Sequence, residues 1–245
     1  MTESRSVFQT EIRVRDMGRA VTFYKTVFDW KIYKAAEDSA LIDTGALPVV
    51  SFLQTTDPRF PLGVVNNLIV EDCEQEGVRA VALGGRITVV KSEIPGKGAF
   101  VNFVDPWGAE FCFWEPYVTA RPALQGSGKN PISFIEVVTP DMPAAFNFYS
   151  QLMGWSFWNV VFKDEFSMAE GCGLKRGVGL YGSAGSAGLA TTYVEVENLE
   201  ETAAKVLAAG GTIRVPPSVF PGEGRYIVFE DIDGLRMGAV ETPTS

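Results

Sequence analysis

Histidine is absent from the sequence. That excludes Ser-His-Asp and Cys-His nucleophile pairs, HExxH zinc sites and the two-His-one-carboxylate iron triad. Acid–base chemistry would have to come from Asp, Glu, Lys, Tyr or Cys with a shifted pKa. Cysteine is scarce: Cys73, Cys112 and Cys172 are widely spaced, odd in number and form no CxxC pair. Neither a disulfide framework nor a zinc knuckle is indicated. No stretch approaches 18 apolar residues, and the opening residues MTESRSVFQTEIRVRD carry no apolar h-region, so a cytoplasmic location is expected. Positive charge is in deficit, with 21 Lys and Arg against 30 Asp and Glu, a formal charge of −9. Without a basic patch to override it, that surface repels phosphates and anionic lipid. Neither nucleic acid nor membrane is an expected partner.

Of the 245 residues, 46% are hydrophobic and 21% charged, a globular composition with length for one large or two ordinary domains. An internal repeat decides between them. Glu11 matches Glu136, Asp16-Met17 matches Asp141-Met142, Phe23-Tyr24 matches Phe148-Tyr149 and Trp30 matches Trp155, all at an offset of 125. Further on, Glu71 matches Glu197, Gly84-Gly85 matches Gly210-Gly211, Asp105 matches Asp231 and Glu115 matches Glu241, at an offset of 126. A repeat this long exceeds any solenoid unit and implies two similar domains. The expected boundaries are 1–117 and 131–245, with the Pro- and Gly-bearing segment 118–130 as linker.

Within each half the pattern is strand, helix, then strands, twice. Gln9–Arg15 alternates polar and apolar residues and predicts a half-buried strand. Asp16 is placed to N-cap a helix to about Val27, with an apolar stripe at Ala20, Phe23, Tyr24 and Val27. Residues 40–55 predict two strands, Asn67–Glu71 another, and 72–83 a helix stopped by Gly84-Gly85. RITVVK, AFVNFV and AEFCFWE complete the half as strands, with a DPWG turn at 105–108. The second half repeats the pattern over 190–197, 198–209, 212–215, 225–230 and 235–241. The expectation is an α+β chain of four βαβββ modules.

A strand followed by D-M-x-x-A-x-x-F-Y-x-x-x-x-x-W, a Gly-Gly helix stop and a D-P-x-G turn before the last strand resemble the vicinal oxygen chelate superfamily. That superfamily includes glyoxalase I, bleomycin-resistance proteins and extradiol dioxygenases. The two-domain layout is most similar to glyoxalase-like proteins related to the mycobacterial 27-kDa antigen. The resemblance implies two tandem glyoxalase-like domains, each pairing two βαβββ modules into an incomplete barrel around a cavity. It also implies inward-pointing metal ligands where a metal is used. At those positions this sequence has Gln9, Val65 or Asn66, and Cys112 in the first half, with Phe134, Thr191 and Gly238 in the second. One oxygen ligand and one thiol fall short of the three or four convergent donors a divalent transition metal needs. No metal and no other cofactor are expected.

Strand parity selects the remaining candidates. Gln9, Glu11 and Arg13 share one face of the opening strand, and the family pattern places an anion-binding arginine at Arg13. Glu11 and its repeat partner Glu136 are candidate general bases or hydrogen-bond acceptors; equally, Glu11 pairs with Arg13 two residues along. Asn67 and Tyr193 are equivalents suited to orienting a ligand in an apolar pocket, or to bonding neighbouring strands. Cys112 and Trp114 face inward by the family's parity, offering a stacking platform and a small thiol of the kind usually inert when buried. Arg236 is a candidate second anion contact. Glu115 and Glu241, on the opposite parity, are expected to be solvated strand ends. Trp30, Trp155 and the Phe-Tyr pairs are expected in the core. The functional expectation is a metal-independent protein, monomeric or homodimeric, that holds a largely apolar or aromatic small molecule. The alternative is a metal-free lyase or isomerase using Glu11 as base.

Overall fold

The computed structural model describes residues 5–34, 36–42, 44, 46–117, 129–159, 165–186, 188–220 and 224–241. The linker expected at 118–130 lies outside the described residues over 118–128.

Four βαβββ modules follow one another. The first is β1 (Val7–Val14), α1 (Met17–Phe28), β2 (Ile32–Lys34), β3 (Ser39–Ile42) and β4 (Val49–Gln54). The second is β5 (Gly63–Ile69), α2 (Cys73–Ala82), β6 (Arg86–Ile94), β7 (Gly98–Val104) and β8 (Glu110–Pro116). The third is β9 (Ile132–Thr139), α3 (Met142–Met153), β10 (Ser156–Asn159), β11 (Phe166–Glu170) and β12 (Val178–Gly182). The fourth is β13 (Ala190–Val196), α4 (Leu199–Ala208), β14 (Thr212–Phe220), β15 (Gly224–Glu230) and β16 (Arg236–Glu241). The strands form two open, mixed, eight-stranded sheets, ordered β2-β3-β4-β1-β5-β8-β7-β6 and β10-β11-β12-β9-β13-β16-β15-β14. Among the described residues, no helix is long and apolar enough to cross a membrane.

Local chemistry starts each helix in the same way. Asp16, Asp72, Asp141 and Asn198 stand in extended backbone, and each side chain accepts the N–H three residues on, from Arg19, Gln75, Ala144 and Glu201. Each such cap contributes about 1 kcal/mol. The stop after α2 needs glycine twice: Gly84 has φ +101°, and a β-carbon on Gly85 would lie 2.8 Å from the Val104 carbonyl oxygen. The structure adds β2, which the sequence reading did not locate because three residues are too few to carry a readable alternation. One strand start is corrected. β5 begins at Gly63, not Asn67, because Val64 and Val65 extend it without alternating polar residues.

By packing, the chain divides differently from the sequence repeat. Among the described residues, one compact unit contains those of 5–9, 65–117 and 134–190; the other contains those of 10–64, 129–133 and 191–241. Each therefore combines a module from each half. In the first unit α2 packs on α3, and in the second α1 packs on α4.

The repeated F-Y…W motif builds both cores. Tyr149 and Trp155 stack at 5.5 Å and 11° in the first unit, and Tyr24 and Trp30 at 5.9 Å and 12° in the second. Such pairs add about 0.5–1.5 kcal/mol beyond burial. Both tyrosines are wholly buried, and a buried phenol needs a partner. Tyr149 donates to Asp105 Oδ2 at 2.7 Å, while Asp105 Oδ1 accepts the N–H groups of Trp107, Gly108 and Ala109. Tyr24 donates to Asp231 Oδ2 at 3.0 Å, and Asp231 Oδ1 accepts from Asp233 and Leu235. The turn aspartate of one half thus holds the helix tyrosine of the other.

Glu115 and Glu241 correct a further expectation. They are half-buried helix caps: Glu115 Oε2 accepts the Cys73 N–H at 3.2 Å at the start of α2, and Glu241 Oε2 accepts the Leu199 N–H at 2.9 Å at the start of α4. A carboxylate is favoured there by the unpaired amides and by the helix dipole. Lys91 also donates to Glu115 at 2.9 Å and holds its carboxyl below the usual range.

Candidate functional site

In the first compact unit, β8 alternates cleanly. Phe111 and Phe113 are fully buried on the face that α2 covers, Phe111 meeting the Tyr149 ring edge-on at 6.0 Å and Phe113 stacking on Phe103 at 4.5 Å. Cys112 and Trp114 therefore take the other face. Register brings Asn67 of β5 opposite Cys112, and Asn102 of β7 opposite Cys112 from the other side. Paired residues project to the same side of a sheet, so Asn67, Cys112 and Asn102 form one polar row across three strands. Gln9 joins it, its Oε1 accepting from Asn67 Nδ2 at 3.3 Å.

Beyond the row lies the half-buried Trp114 indole, stacked with Phe8 at 6.5 Å and 26°. The indole lies over the bare backbone of Gly98, where a β-carbon would fall 2.7 Å from Cζ2. Asn67 Oδ1 and Asn102 Oδ1 are buried without a hydrogen-bond partner. Val65 shares the face of Asn67 and offers no ligand atom, whereas Asn66 pairs with Phe111 and turns toward the helix side.

The equivalent positions of the second half are filled by rings. In the same compact unit Phe134 stands where Gln9 stands, and a β-carbon on Gly179 would lie 2.6 Å from both Phe134 Cζ and Phe166 Cζ. Glu136 is half-buried and lies opposite Gly179. In the second compact unit Tyr193, equivalent to Asn67, lies directly over Gly238, the counterpart of Cys112, so closely that any β-carbon there would overlap the ring. Tyr226 meets Tyr193 at 6.3 Å and 68°. Val228 replaces Asn102. Arg236 donates through Nε to Thr191 Oγ1 at 2.9 Å, which ties its side chain to β13.

Glu11 and Arg13, also in the second compact unit, pair with each other. Arg13 Nε donates to Glu11 Oε1 at 2.8 Å, with the Arg13 side chain 2% exposed and that of Glu11 22%. The guanidinium sits 5.3 Å from the Phe60 ring centroid, a cation–π contact strengthened by burial. In this unit a groove of about 660 Å³ opens along α1, lined by Gly18, Arg19, Thr22 and Thr26 with Ala208 and Ala209. It includes none of the candidate site residues, and its threonine hydroxyls are spent on the carbonyls of Gly18 and Thr22.

Residues 9–114 match the family model for a glyoxalase-like domain, and residues 132–237 match that of the glyoxalase/bleomycin resistance protein/dioxygenase superfamily. The chain belongs to the glyoxalase superfamily. This glyoxalase-like chain is 23% identical over 247 residues to "Putative glyoxylase CFP32" of Mycobacterium tuberculosis, covering 91% of the chain and 90% of the relative. Among solved structures it is similar to homoprotocatechuate 2,3-dioxygenase from Brevibacterium fuscum (TM-score 0.68, 16% identity, 96% of this chain and 79% of that one). It is also similar to the Mn(II)-bound glyoxalase from Novosphingobium aromaticivorans (TM-score 0.63, 14% identity, 98% and 82%). At these identities the likeness is one of fold.

Among the described residues of this glyoxalase-like chain, no three His, Cys, Asp or Glu side chains are grouped to hold a metal ion. The polar row supplies carboxamides and a thiol instead. The other two thiols are buried; Cys73 is pushed up to about 12, first by burial and then by Glu115, and burial also raises Cys172. Asn102 and Phe8 are the site residues that strand parity did not single out. The signal for Asn102 was present as an amide inside the apolar run AFVNFV, at a position the second half fills with Val228.

Proposed function

We propose that the protein is a metal-independent binder of a largely apolar or aromatic small molecule, held in the first half against Trp114 with Gln9 and Asn67 as polar contacts. One observation carries this reading. The face that the second half fills with Phe134 and Tyr193 rings over glycine bears, in the first half, a row of amides next to a half-exposed indole. Evolution of a merely structural pair would favour packing both faces alike, because buried amides cost stability that rings do not.

The Mn(II) of the solved glyoxalase does not fit the donors of the row. Carboxamide oxygens are neutral, and one thiol does not make the charged or imidazole set that binds divalent transition metals. Recognition would rest on shape, stacking and hydrogen bonds.

The test is a thermal-shift screen of aromatic compounds, with native mass spectrometry for co-purifying molecules. A ligand at a hundred times its Kd should raise the unfolding midpoint by about 5 °C or more. Trp114→Ala should weaken that ligand at least about tenfold. A screen with no stabilising class would sink the reading. So would one stoichiometric nickel, zinc, manganese or iron per chain, lost together with activity on chelation.

A further inference from the structure

The polar row leaves two buried acceptors over, and their chemistry selects the ligand. Asn102 Nδ2 donates to Glu110 Oε1 at 3.3 Å. A carboxylate has no hydrogen to return, so this contact fixes the amide's orientation and makes Oδ1 the atom left without a partner. Asn67 gives its Nδ2 to the amide oxygen of Gln9 and leaves its own Oδ1 unmatched. Asn102 is 1% exposed and Asn67 6%, so neither oxygen has bulk water as a partner. Such an acceptor is costly to bury, and the second half avoids the cost with Val228 and Tyr193. Two orphaned oxygens flanking Cys112 in one row match a molecule that brings hydrogens, not one that brings negative charge. The arginine that the sequence offers to an anion, Arg13, is paired with Glu11.

We propose that the ligand presents hydrogen-bond donors, amide N–H or hydroxyl groups on an aromatic ring, to Asn67 Oδ1 and Asn102 Oδ1. This rests on the binding reading above and adds the class of molecule. A carboxylate at the same edge would face two acceptors and be rejected, because an unpaired polar contact discriminates more sharply than a missing apolar one.

Three probes of one shape test it on the full-length protein: benzamide, N,N-dimethylbenzamide and benzoate, titrated while following the Trp114 indole N–H signal, assigned with Trp114→Phe. Benzamide should bind at least about tenfold more tightly than either of the others. Asn67→Leu and Asn102→Leu should each erase that preference; leucine removes the orphaned oxygen at similar volume but also the Nδ2 contact to Gln9 or Glu110, so the unfolding midpoint should fall by no more than about 3 °C. Benzoate or dimethylbenzamide binding as well as benzamide would overturn the donor inference and leave the binding reading standing. No response of Trp114 to any probe would remove both. A midpoint that falls by more than that in both leucine variants, with the benzamide preference intact, would make the amides structural partners and overturn the inference on its own.

Discussion

The two halves share one plan and use its inner face in opposite ways. In the first, Gln9, Asn67, Cys112 and Asn102 are small or polar, and Trp114 is half-exposed. In the second, the same positions read Phe134, Tyr193, Gly238 and Val228, and the rings lie on glycine backbone. Glycine at 179 and 238 is what allows this, since a ring can then pack on the strand itself. Four scaffold devices outside that face are kept in duplicate: the Asx caps, the Tyr–Trp stacks, the Tyr–Asp bonds and the glutamate caps of α2 and α4. The scaffold is shared between the repeats while the face has diverged, and the proposed binding function assigns its task to the first copy alone.

The strongest challenge to that contrast is to empty the filled face. Tyr193→Ala removes a buried ring, leaves a void over Gly238 and should cost about 3–5 kcal/mol in urea unfolding. If the alanine variant loses less than about 1 kcal/mol, the second-half face is not a packed one and the division of labour fails.

Most of the local structure was legible in the sequence, because it is set by neighbours. Asp16 and the apolar stripe at Ala20, Phe23, Tyr24 and Val27 specify α1 within one helical turn at a time, and the alternation in AEFCFWE specifies β8. What was not legible depends on residues far apart. Nothing around Glu115 announces that its carboxylate caps a helix 42 positions earlier. The Tyr149–Asp105 bond crosses from one half to the other, as does the composition of each compact unit. Parity gave the face of Asn67 but not the orphaned oxygen, which needs Gln9 and its geometry to be seen.

The duplicated tyrosine bonds give a middle-sized test, aimed at what the halves share. Tyr149→Phe and Tyr24→Phe should each cost about 1–3 kcal/mol, the two values agreeing closely if the repeats are equivalent there. Burial raises the carboxyl pKa of both Asp105 and Asp231 above the ordinary value, against the pull of their hydrogen bonds. A group with a raised folded pKa contributes stability below its unfolded pKa and loses it as pH climbs through the folded value. Asp105→Asn cannot ionise. Its stability relative to the parent should therefore improve between pH 4 and pH 7, in paired urea midpoints. A relative loss over that interval would show that the hydrogen bonds outweigh desolvation.

The smallest effect sits where α1 and α3 end. Both helices close on a left-handed residue, Gly154 at φ 73° after α3 and Asp29 at φ 54° after α1. Glycine adopts that region freely, whereas a β-carbon strains it, and the aspartate also places negative charge at the negative end of the helix dipole. Glycine's greater freedom in the unfolded chain offsets part of the relief. Asp29→Gly should therefore stabilise by about 0.5–1 kcal/mol, a midpoint rise of about 1–3 °C by calorimetry. The carboxylate of Asp29 is exposed and the backbone N–H already bonds the Lys25 carbonyl at 2.9 Å, so the substitution sacrifices no cap. A fall in the midpoint would mean that the Asp29 side chain holds the turn by a contact that its repeat partner does without, and the two helix ends would then not be equivalent.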